Sequence, residues 1–517
     1  MAEPYYITTA INYPNGRPHI GPAYEAIAAD SIARFHRQAG RDVRFQTGTD
    51  EHGLKMVQTA RDRGMETRAL ATEMSCYFRE MADTLNISYD RFIRTTDDDH
   101  YVASQAIWQA MADAGDLYLD RYEGWYSVRD EAFYDEKELV EGEGGVKLSP
   151  QGTPVDWTAE ETWFFRLSKY QQALLEHYAA HPEFIQPESR RNETMRFVEG
   201  GLSDLSVSRT IFDWGVPVPG SPGHVMYVWV DALTNYITGL GYPDDAQGEF
   251  AKHWPADLHL IGKDIVRFHT VYWPAFLMSA GLPLPKTVYG HGFVLSRSGE
   301  KMSKSAGNVV DPLDLARLYG VDALRYFLLR DISFGQDGSF SAEAIVTRAN
   351  ADLANSFGNL AQRTLSQIFK NLHGALPIRK PDAHLLEAVS LILNYSRQQF
   401  SELALNDALA GWNEAVKTCN VYIDYQAPWA LKKTDPERME TVLATLYICI
   451  AQLAVAILPV IPGSANKLLD AMGIDPARRT PEGIAGDWYS PLAEGDFRLD
   501  QPVPLFPRLE VSMEAVE

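Results

Sequence analysis

Cysteine is scarce in this chain of 517 residues, which contains Cys76, Cys419 and Cys449 and no CxxC pair. Such sparse and scattered thiols exclude a disulfide framework and a four-cysteine metal site, and they are typical of a reducing compartment. The first residues also lack a basic segment followed by an apolar one, so no secretory signal is expected. We therefore expect a cytoplasmic protein.

Positive charge and long apolar runs are scarce as well. Lys and Arg number 47 against 69 Asp and Glu, which gives a formal net charge of −22. This balance argues against non-specific coating of nucleic acid, although a local basic or aromatic face can still bind RNA. The longest apolar run, 443–461, contains Gln452 and ends among Pro459 and Pro462. We interpret it as a buried bundle helix and expect no membrane association.

Alternating strand and helix patterns occupy the first part of the chain. A β-rich segment at 5–9 runs into a loop, a helical pattern covers 23–39, and the next strand pattern is 43–48. A βαβ unit of this kind predicts a parallel sheet whose ligand lies at the carboxyl ends of the strands. Further strand patterns at 223–230 and 258–262 indicate the second half of the same sheet.

The sequence texture changes between these halves and again after them. Tyr, Trp and acidic, Gly-rich turns predict a small β-rich insertion, and later helical periodicity predicts an all-α bundle. Several prolines in the final segment predict an extended tail that packs back on the molecule. The predicted units are 1–115 and 206–295 for the two halves of the sheet, 116–205 for the insertion, 296–345 for a loop and contact region, 346–480 for the bundle and 481–517 for the tail.

Two short motifs suit a triphosphate. Lys301-Met302-Ser303-Lys304-Ser305 places two lysines on a loop flanked by Ser and Gly, and such a loop can close over phosphates. Pro18-His19-Ile20-Gly21 places a histidine where a loop enters a helix, and a helix N-terminus attracts phosphate. Gly21 would let a ligand approach the backbone closely. Either motif alone is weak, because a Lys/Ser loop is usually solvated surface and a histidine can merely cap a helix.

Together with four further segments, these motifs resemble the class I aminoacyl-tRNA synthetases, and the wording of the segments is similar to the methionyl branch. The resemblance extends over more than half of the chain, and the segments follow in the order of the family. They are Thr9–Gly16, Thr47–Gly53, Tyr227–Ala232 and Ile261–His269.

The resemblance implies an α/β fold, in which a Rossmann-like parallel sheet is split by a connective insertion and followed by an all-α anticodon-binding bundle. It assigns 296–345 to the lysine loop and a region that contacts the tRNA stem. It also implies the activity of a methionine-tRNA ligase, which uses ATP with Mg²⁺ to form methionyl-adenylate and transfers methionine to tRNA(Met).

The resemblance carries site residues over by position. For catalysis it implies His19, Lys301, Lys304 and Arg209, although the residues that flank Arg209 differ from the family. For ATP it implies His19, Gly21, Lys263, Asp264, His291 and the lysine motif Lys301, Met302, Ser303, Lys304 and Ser305. For methionine it implies Ile11, Tyr13, Asp50, Trp229, Ala232, Leu233, Tyr236, Ile265, Phe268 and His269, with Asp50 holding the α-ammonium group.

Aromatic walls suit methionine, because contacts between sulfur and aromatic rings contribute about 0.3–1.5 kcal/mol. Taken one by one, these residues have plainer interpretations: Trp229 in an apolar strand would be core, and Asp50 would be a turn or N-cap residue. The chain departs from the family at Pro22, which stands where a second histidine is usual, so no phosphate contact is assigned there.

In the helical region the resemblance implies an anticodon reader. Asn355, Asn359 and Arg363 recur every four residues and are predicted to share one helical face. Pro428 and Trp429 would place an indole at the end of another helix, where it can stack on a base. Without the catalytic motifs, the same polar row would be interpreted as a solvated face.

The insertion is predicted to bind no zinc. Many methionyl enzymes carry a cysteine-rich knuckle there, whereas 116–205 contains no cysteine and His181 alone cannot supply four ligands. Residues 125–131 stand where the knuckle would be, so the segment resembles the zinc-free branch. The relatives specific for isoleucine, valine and leucine need a large editing insertion for which this chain has no room. The relative specific for cysteine binds its substrate through zinc, and the three separate cysteines of this chain do not make such a site.

Two alternatives remain open at this stage. One is a nucleotidyltransferase of the same superfamily that acts on a small metabolite, and the other is a synthetase-like paralogue that binds tRNA or regulates. The helical region speaks against the first, and intact His19, Asp50, Lys301 and Lys304 speak against the second. No appended tRNA-binding module follows the bundle, so we expect a monomer.

Overall fold

The computed structural model describes residues 2–127, 132–297, 299–300, 302 and 310–512. Of the lysine motif, Lys301, Ser303, Lys304 and Ser305 lie outside the described residues, and so do 128–131 in the insertion. Met302 is described and is buried.

The described residues form strands and helices in the following chain order. The strands are β1 (Pro4–Asn12), β2 (Asp42–Thr49), β3 (Arg91–Arg94), β4 (Leu117–Ser127), β5 (Ala132–Tyr134), β6 (Val140–Glu141), β7 (Lys147–Leu148), β8 (Asp156–Phe165), β9 (Ile185–Gln186), β10 (Leu205–Ser206), β11 (Ser208–Arg209), β12 (Val225–Met226), β13 (Leu258–Gly262), β14 (Val288–His291), β15 (Val294–Leu295) and β16 (Gly338–Ser339). The α-helices are α1 (Ile20–Gln38), α2 (Leu54–Asp62), α3 (Thr67–Thr84), α4 (Asp98–Asp113), α5 (Gln171–Ala180), α6 (Glu188–Glu199), α7 (Val228–Thr238), α8 (Glu249–His253), α9 (Trp273–Ser279), α10 (Pro312–Tyr319), α11 (Val321–Asp331), α12 (Ala342–Arg348), α13 (Asn359–Leu372), α14 (Ala383–Ser401), α15 (Leu405–Gln426), α16 (Pro428–Thr434), α17 (Pro436–Ile457), α18 (Pro462–Ala471) and α19 (Tyr489–Glu494). Two π-helical segments, Phe268–Tyr272 and Ala349–Gly358, precede α9 and α13.

A six-stranded sheet in the order β3-β2-β1-β13-β14-β9 organises the N-terminal part, and every pair in it is parallel. The chain builds outward from β1 through β2 to β3, and then returns to the other side of β1 with β13. The direction of winding therefore reverses between β1 and β13, and in sheets of this kind ligands bind at that point, beyond the carboxyl ends of the strands. The predicted parallel sheet is confirmed.

The predicted β-rich insertion is a four-stranded antiparallel sheet in the order β10-β8-β4-β5. Its centre is the long pairing of β4 with β8, which runs from Leu117–Phe165 to Tyr126–Asp156. Within the range 116–205, however, β9 pairs with β14 and so belongs to the main sheet. A strand of two residues has too few positions to show alternation, and the sequence pattern could not separate it from the insertion.

The strand predicted at 223–230 is wrong beyond its first residues. Val225 and Met226 form β12, which pairs with β11 outside the main sheet, and α7 begins at Val228. Alternating valines favour a strand locally. Nearly every residue of α7 is buried, however, and burial on all sides lets a helix form in spite of the β-branched residues.

The predicted bundle consists of the helices α13 to α18, with the long helix α17 at its centre. By length and composition α17 is the one helix of the described residues that could cross a membrane, and most of it is buried against its neighbours. The segment after α19 runs back along the bundle, where Asn350 exchanges two 2.9 Å hydrogen bonds with the backbone of Leu509. Within the predicted tail, the described residues therefore contain the short helix α19 as well as extended chain.

Arg325 on α11 joins the sheet domain to the bundle and is fully buried. Its guanidinium donates to Asp30 Oδ2 on α1 at 2.6 Å and to the carbonyl of Leu85 at 3.1 Å. On the bundle side it donates to the carbonyls of Val460 at 2.8 Å and Pro459 at 3.2 Å. One side chain thus fixes α1, which carries His19 at its start, to the turn between α17 and α18.

Candidate active site

The carboxyl edge of the main sheet brings together residues from four strands. Ile11 and Tyr13 come from the end of β1, Asp50 follows β2, Lys263 and Asp264 follow β13, and His291 ends β14. The backbone N–H of Asp50 donates to the carbonyl of Asn12 at 2.9 Å, so the loop after β2 is tied to the end of β1. The predicted ATP and methionine residues therefore meet at the reversal point of the sheet.

His19 is the N-cap of α1, and its position depends on Gly21. The Gly21 N–H donates to His19 Nδ1 at 3.1 Å, which places the proton of a neutral ring on Nε2. A Cβ at residue 21 would lie 2.8 Å from His19 Cε1, so only glycine leaves room for the ring in this orientation. The cap therefore sets both the tautomer and the direction of the imidazole at a helix terminus that favours anions.

The predicted methionine residues lie on two facing helical surfaces. Trp229, Ala232, Leu233 and Tyr236 recur at i, i+3, i+4 and i+7 and so share one side of α7. Ile265, Phe268 and His269 share a side of the turn that follows β13, which includes the π-helical segment. Extra helical residues of this type often occur at functional sites.

The two surfaces are joined by an aromatic stack and a hydrogen bond. The rings of Trp229 and Phe268 stack at 3.7 Å with an interplanar angle of 5°. His269 Nδ1 lies 3.0 Å from the carbonyl of Ile265, which can only accept, so Nε2 accepts the 2.7 Å hydrogen bond from the Tyr236 hydroxyl. Burial lowers the pKa of His269 to about 4, so this imidazole is neutral at physiological pH. The pocket wall is thus uncharged, as a thioether requires.

On the ATP side, the structure adds a buried carboxylate that the sequence did not reveal. The pairing of β1 with β2 shifts register between Thr8 and Ile11, and the backbone N–H of Ala10 there donates to Glu25 Oε1 at 2.9 Å. Glu25 Oε2 lies 2.8 Å from His291 Nε2, while His291 Nδ1 lies 2.8 Å from the carbonyl of Gly292. Although burial opposes a charge on His291, the bond to Glu25 raises the pKa of this imidazole, and the pair shares a proton.

This geometry bears on two predicted ATP residues. Both nitrogens of His291 are engaged within the protein, so a contact with ATP through either of them would break an existing bond. Lys263 forms a 2.7 Å ion pair with Asp337 and lies 4.5 Å above the ring of Phe293. ATP binding by His291, Lys263 and Asp264 stays a prediction.

Arg209, which has a predicted role in the transition state, is held by contacts within the protein. It is 2% exposed, and its Nη1 donates to the carbonyl of Ser208 at 2.7 Å and to Ser206 Oγ at 2.9 Å. The guanidinium lies 4.6 Å from the ring centre of Tyr227. Arg209 lines a cavity together with Lys263, Asp264 and Phe268. Its catalytic role stays a prediction, and the residues that flank it differ from the family.

A second group that the sequence did not reveal lies behind the methionine pocket. Asp231 is fully buried on α7 and accepts from His52 Nδ1 and from His100 Nε2, both at 2.6 Å. Burial alone would raise the pKa of Asp231, whereas the two histidines lower it to about 2. The sequence signal for this residue was a single carboxylate inside an otherwise apolar helix, because such a group must find partners.

The predicted anticodon residues also cluster. Asn355 and Asn359 are exposed and line a cavity of about 420 Å³ between α13 and the extended tail. Arg363 donates to Asp424 at 2.6 Å and lies 5.0 Å from the ring centre of Trp429, which is 46% exposed. Asn355 lies in the π-helical segment, and Asn359 and the partly exposed Arg363 lie in α13, which follows it. Pro428 is buried and begins α16.

Of the segment 125–131, where a zinc knuckle would stand, the structure describes 125–127. There the insertion is held by hydrogen bonds between hydroxyl groups. Ser127, Ser149 and Thr153 are buried and hydrogen-bonded to one another at 2.6 and 2.8 Å. Trp125 meets Trp157 edge to face. Over 2–127, 132–297, 299–300, 302 and 310–512, no three His, Cys, Asp or Glu side chains are grouped to hold a metal ion.

Comparisons with known proteins agree with this geometry. The model of the class I tRNA synthetases (M) matches residues 5–365, and the model of the anticodon binding domain of methionyl tRNA ligase matches residues 378–510. The methionine–tRNA ligase of Rhizobium meliloti is 55% identical over 98% of both chains, and that of Brucella suis is 56% identical over 98% of both.

Solved structures give the same result. The methionyl-tRNA synthetase of Mycobacterium tuberculosis bound to methionyl-adenylate superposes with a TM-score of 0.93 at 53% identity, covering 98% of this chain and 100% of that one. Its apo form gives 0.87 at 50% identity, covering 99% of each chain.

Proposed function

Because the chain belongs to the methionine branch of the class I tRNA synthetases and is a methionine–tRNA ligase, we propose how its own residues divide the reaction among them. The proposal rests on the carboxyl edge of the parallel sheet, where the chain after β1 leads to His19 at the start of α1 and Asp50 follows β2. His52, two residues after Asp50, bonds to Asp231 on α7 and so ties this edge to the helix of the pocket face. The family supplies the reaction, and the contacts of this chain supply the roles.

We assign phosphate binding to the start of α1 and to the lysine loop. In the activation step, a methionine carboxylate oxygen attacks the α-phosphorus of ATP, and the bond from that phosphorus to the pyrophosphate oxygen breaks. Negative charge grows on the phosphate oxygens, and fixed donors aimed at them lower the barrier. His19 donates a hydrogen bond from its Nε2–H group to these oxygens, and Lys301 and Lys304 neutralise the leaving pyrophosphate. Mg²⁺ would be bound by oxygen ligands such as the ATP phosphates and would help to neutralise the charge that grows on them.

We assign methionine recognition to Asp50 and the two helical surfaces. Asp50 receives the α-ammonium group, and the side chain enters between the α7 face and the turn that carries His269. The Tyr236 hydroxyl proton is committed to His269, so sulfur meets a neutral, polarisable wall. A ribose hydroxyl at the end of the tRNA then attacks the carbonyl carbon of the adenylate, and AMP leaves.

We assign anticodon recognition to the surface that carries Asn355, Asn359, Arg363 and Trp429. The amides can read base edges, while the half-exposed indole offers a stacking surface. In the free protein Arg363 is held between Asp424 and Trp429, so the polar and aromatic parts of the surface are already aligned. Free thiols, ATP and tRNA substrates support a cytoplasmic location. One chain carries both substrate surfaces, which supports a monomer.

Trp429→Ala tests the anticodon assignment. Stacking of one base contributes about 1–3 kcal/mol, so kcat/KM for tRNA(Met) is expected to fall about 5- to 150-fold. Methionine-dependent ATP–pyrophosphate exchange should stay at the wild-type rate, because that step needs no anticodon. Trp429→Phe retains a ring and should recover most of the loss.

Tyr395→Ala is the matched control, since Tyr395 is an aromatic residue of the same bundle that is 54% exposed on α14. It should leave both reactions unchanged. Equal kcat/KM for tRNA in Trp429→Ala and wild type would refute the assignment of this surface.

A further inference from the structure

Asp231 connects the two parts of the amino-acid site from behind. It lies on α7 between Trp229 and Ala232, but its side chain points to the opposite side of the helix from the pocket face and is fully buried. Its two oxygens accept from different imidazoles, Oδ2 from His52 and Oδ1 from His100, at 2.6 Å each. A fully buried carboxylate with two short hydrogen bonds is a rigid junction.

The His52 side of this junction leads to the loop that carries Asp50. His52 is 1% exposed and follows Asp50 by two residues, and its Nε2 lies 3.0 Å from the Tyr101 hydroxyl. The same loop is held by Trp214, whose Nε1 donates to the Glu51 carbonyl at 2.6 Å. The loop that ends at Gly53 therefore has little freedom to move away from α7 while Asp231 is present.

The His100 side fixes α7 to α4. His100 is fully buried, and its Nδ1 lies 3.0 Å from the hydroxyl of Thr238 near the end of α7. Since Nε2 of the same ring reaches Asp231, one imidazole bonds to two turns of the helix. The carboxylate thus stands on a helix that cannot rotate independently of its surroundings, and its position defines where the Asp50 loop can lie.

We propose that Asp231 is a positioning residue that fixes the distance between the ammonium-binding carboxylate of Asp50 and the side-chain pocket on α7. The inference rests on the proposed function, in which Asp50 binds the ammonium group and the α7 face binds the thioether. The distance between the two decides which length of amino-acid side chain fits. Asp231 touches neither end of the substrate and acts through His52.

Asp231→Asn keeps the shape and replaces one acceptor oxygen by an N–H group that faces another N–H donor. KM for methionine in ATP–pyrophosphate exchange should rise by about tenfold or more, while KM for ATP stays within about twofold. The preference for methionine over ethionine, which is longer by one methylene, should also fall by about threefold or more, because a loosened junction tolerates a longer substrate. A loss of stability alone would change neither KM for methionine relative to KM for ATP nor the preference for methionine over ethionine.

Asp116→Asn is the matched control. Asp116 is also fully buried and accepts from Ser279 at 2.8 Å and from Lys169 at 2.7 Å, but it lies away from the pocket. It should lower the melting temperature and leave KM for methionine and the ethionine ratio unchanged. Equal changes in the two variants, or a wild-type KM for methionine in Asp231→Asn, would overturn the proposal.

His52 gives an independent route if Asp231→Asn does not fold. His52→Asn can place an amide N–H near the position of Nδ1 and should keep KM for methionine within about threefold of wild type, whereas His52→Ala should raise it about tenfold. Equal KM values for methionine in His52→Asn and His52→Ala would contradict the proposal that Asp231 acts through His52. Asp50→Asn separates this inference from the proposed function. If Asp50→Asn weakens methionine binding and neither Asp231→Asn nor His52→Ala does, the function stands and the inference fails.

Discussion

His19→Asn is expected to slow methionine activation by about 10²- to 10³-fold while the melting temperature stays near that of wild type. Asparagine is a good N-cap, so its Oδ1 can accept from the Gly21 N–H as His19 Nδ1 does. What the variant lacks is the distal N–H that the imidazole carries on Nε2. The loss should therefore appear in kcat of ATP–pyrophosphate exchange, where charge grows on the phosphate.

His19→Gln provides the complementary control, because its longer side chain can place an N–H near the position of Nε2. We expect it to recover part of the rate that His19→Asn loses. A wild-type kcat in His19→Asn would mean that the histidine only caps α1, and Lys301 and Lys304 would then have to provide the electrostatic stabilisation alone.

Arg325→Met is expected to destabilise the protein by about 3–5 kcal/mol, the usual result of removing one partner of a buried ion pair. The change leaves the carbonyls of Val460 and Pro459 without their donor and leaves Asp30 with Arg34 as its remaining cationic partner. These groups belong to both parts of the molecule. Calorimetry should therefore show a lower melting temperature, and the sheet domain and the bundle should unfold less cooperatively.

The pH dependence of this loss of stability follows from the ionisation of Asp30. Burial alone would raise the pKa of Asp30, but Arg325 and Arg34 lower it below 3.8. A depressed pKa contributes stability that is present above the unfolded value and is lost as the pH falls through the folded value. The Arg325→Met protein should therefore be less stable than wild type at neutral pH. The difference in their free energies of unfolding should become smaller as the pH falls into the acid range.

Arg348→Met is the matched control for Arg325→Met. Arg348 is 31% exposed and pairs with Asp331 and Asp352, and partly exposed pairs contribute about 1 kcal/mol or less. If the two arginine variants melt at the same temperature, the junction at Arg325 does not hold the two parts together as described.

The sequence predicted what rests on local patterns and order. Strand and helix patterns around His19 predicted a parallel sheet, which is present. The spacing of Asn355, Asn359 and Arg363 predicted one shared helical face, and of these residues Asn355 and Asn359 are exposed and Arg363 is partly exposed. The match of the anticodon-domain model and the full-length relatives exclude a nucleotidyltransferase that acts only on a small metabolite.

Other features depended on contacts that no local pattern encodes. The valines around Trp229 favoured a strand, although the i, i+3, i+4 and i+7 spacing from Trp229 to Tyr236 was the better signal and matches the observed helix. The partners of Glu25 and Asp231 lie 266 and 179 residues away in sequence, at His291 and His52. Only the folded chain shows that such carboxylates are shared junctions.

The most direct test of the account is ATP–pyrophosphate exchange by the purified protein with methionine, leucine, isoleucine, valine and cysteine in turn. A neutral pocket between Trp229, Phe268 and His269 that is matched in length to a thioether predicts exchange with methionine and rates at least about a hundredfold lower with the other four. Comparable exchange with leucine or cysteine, or none with methionine, would contradict it.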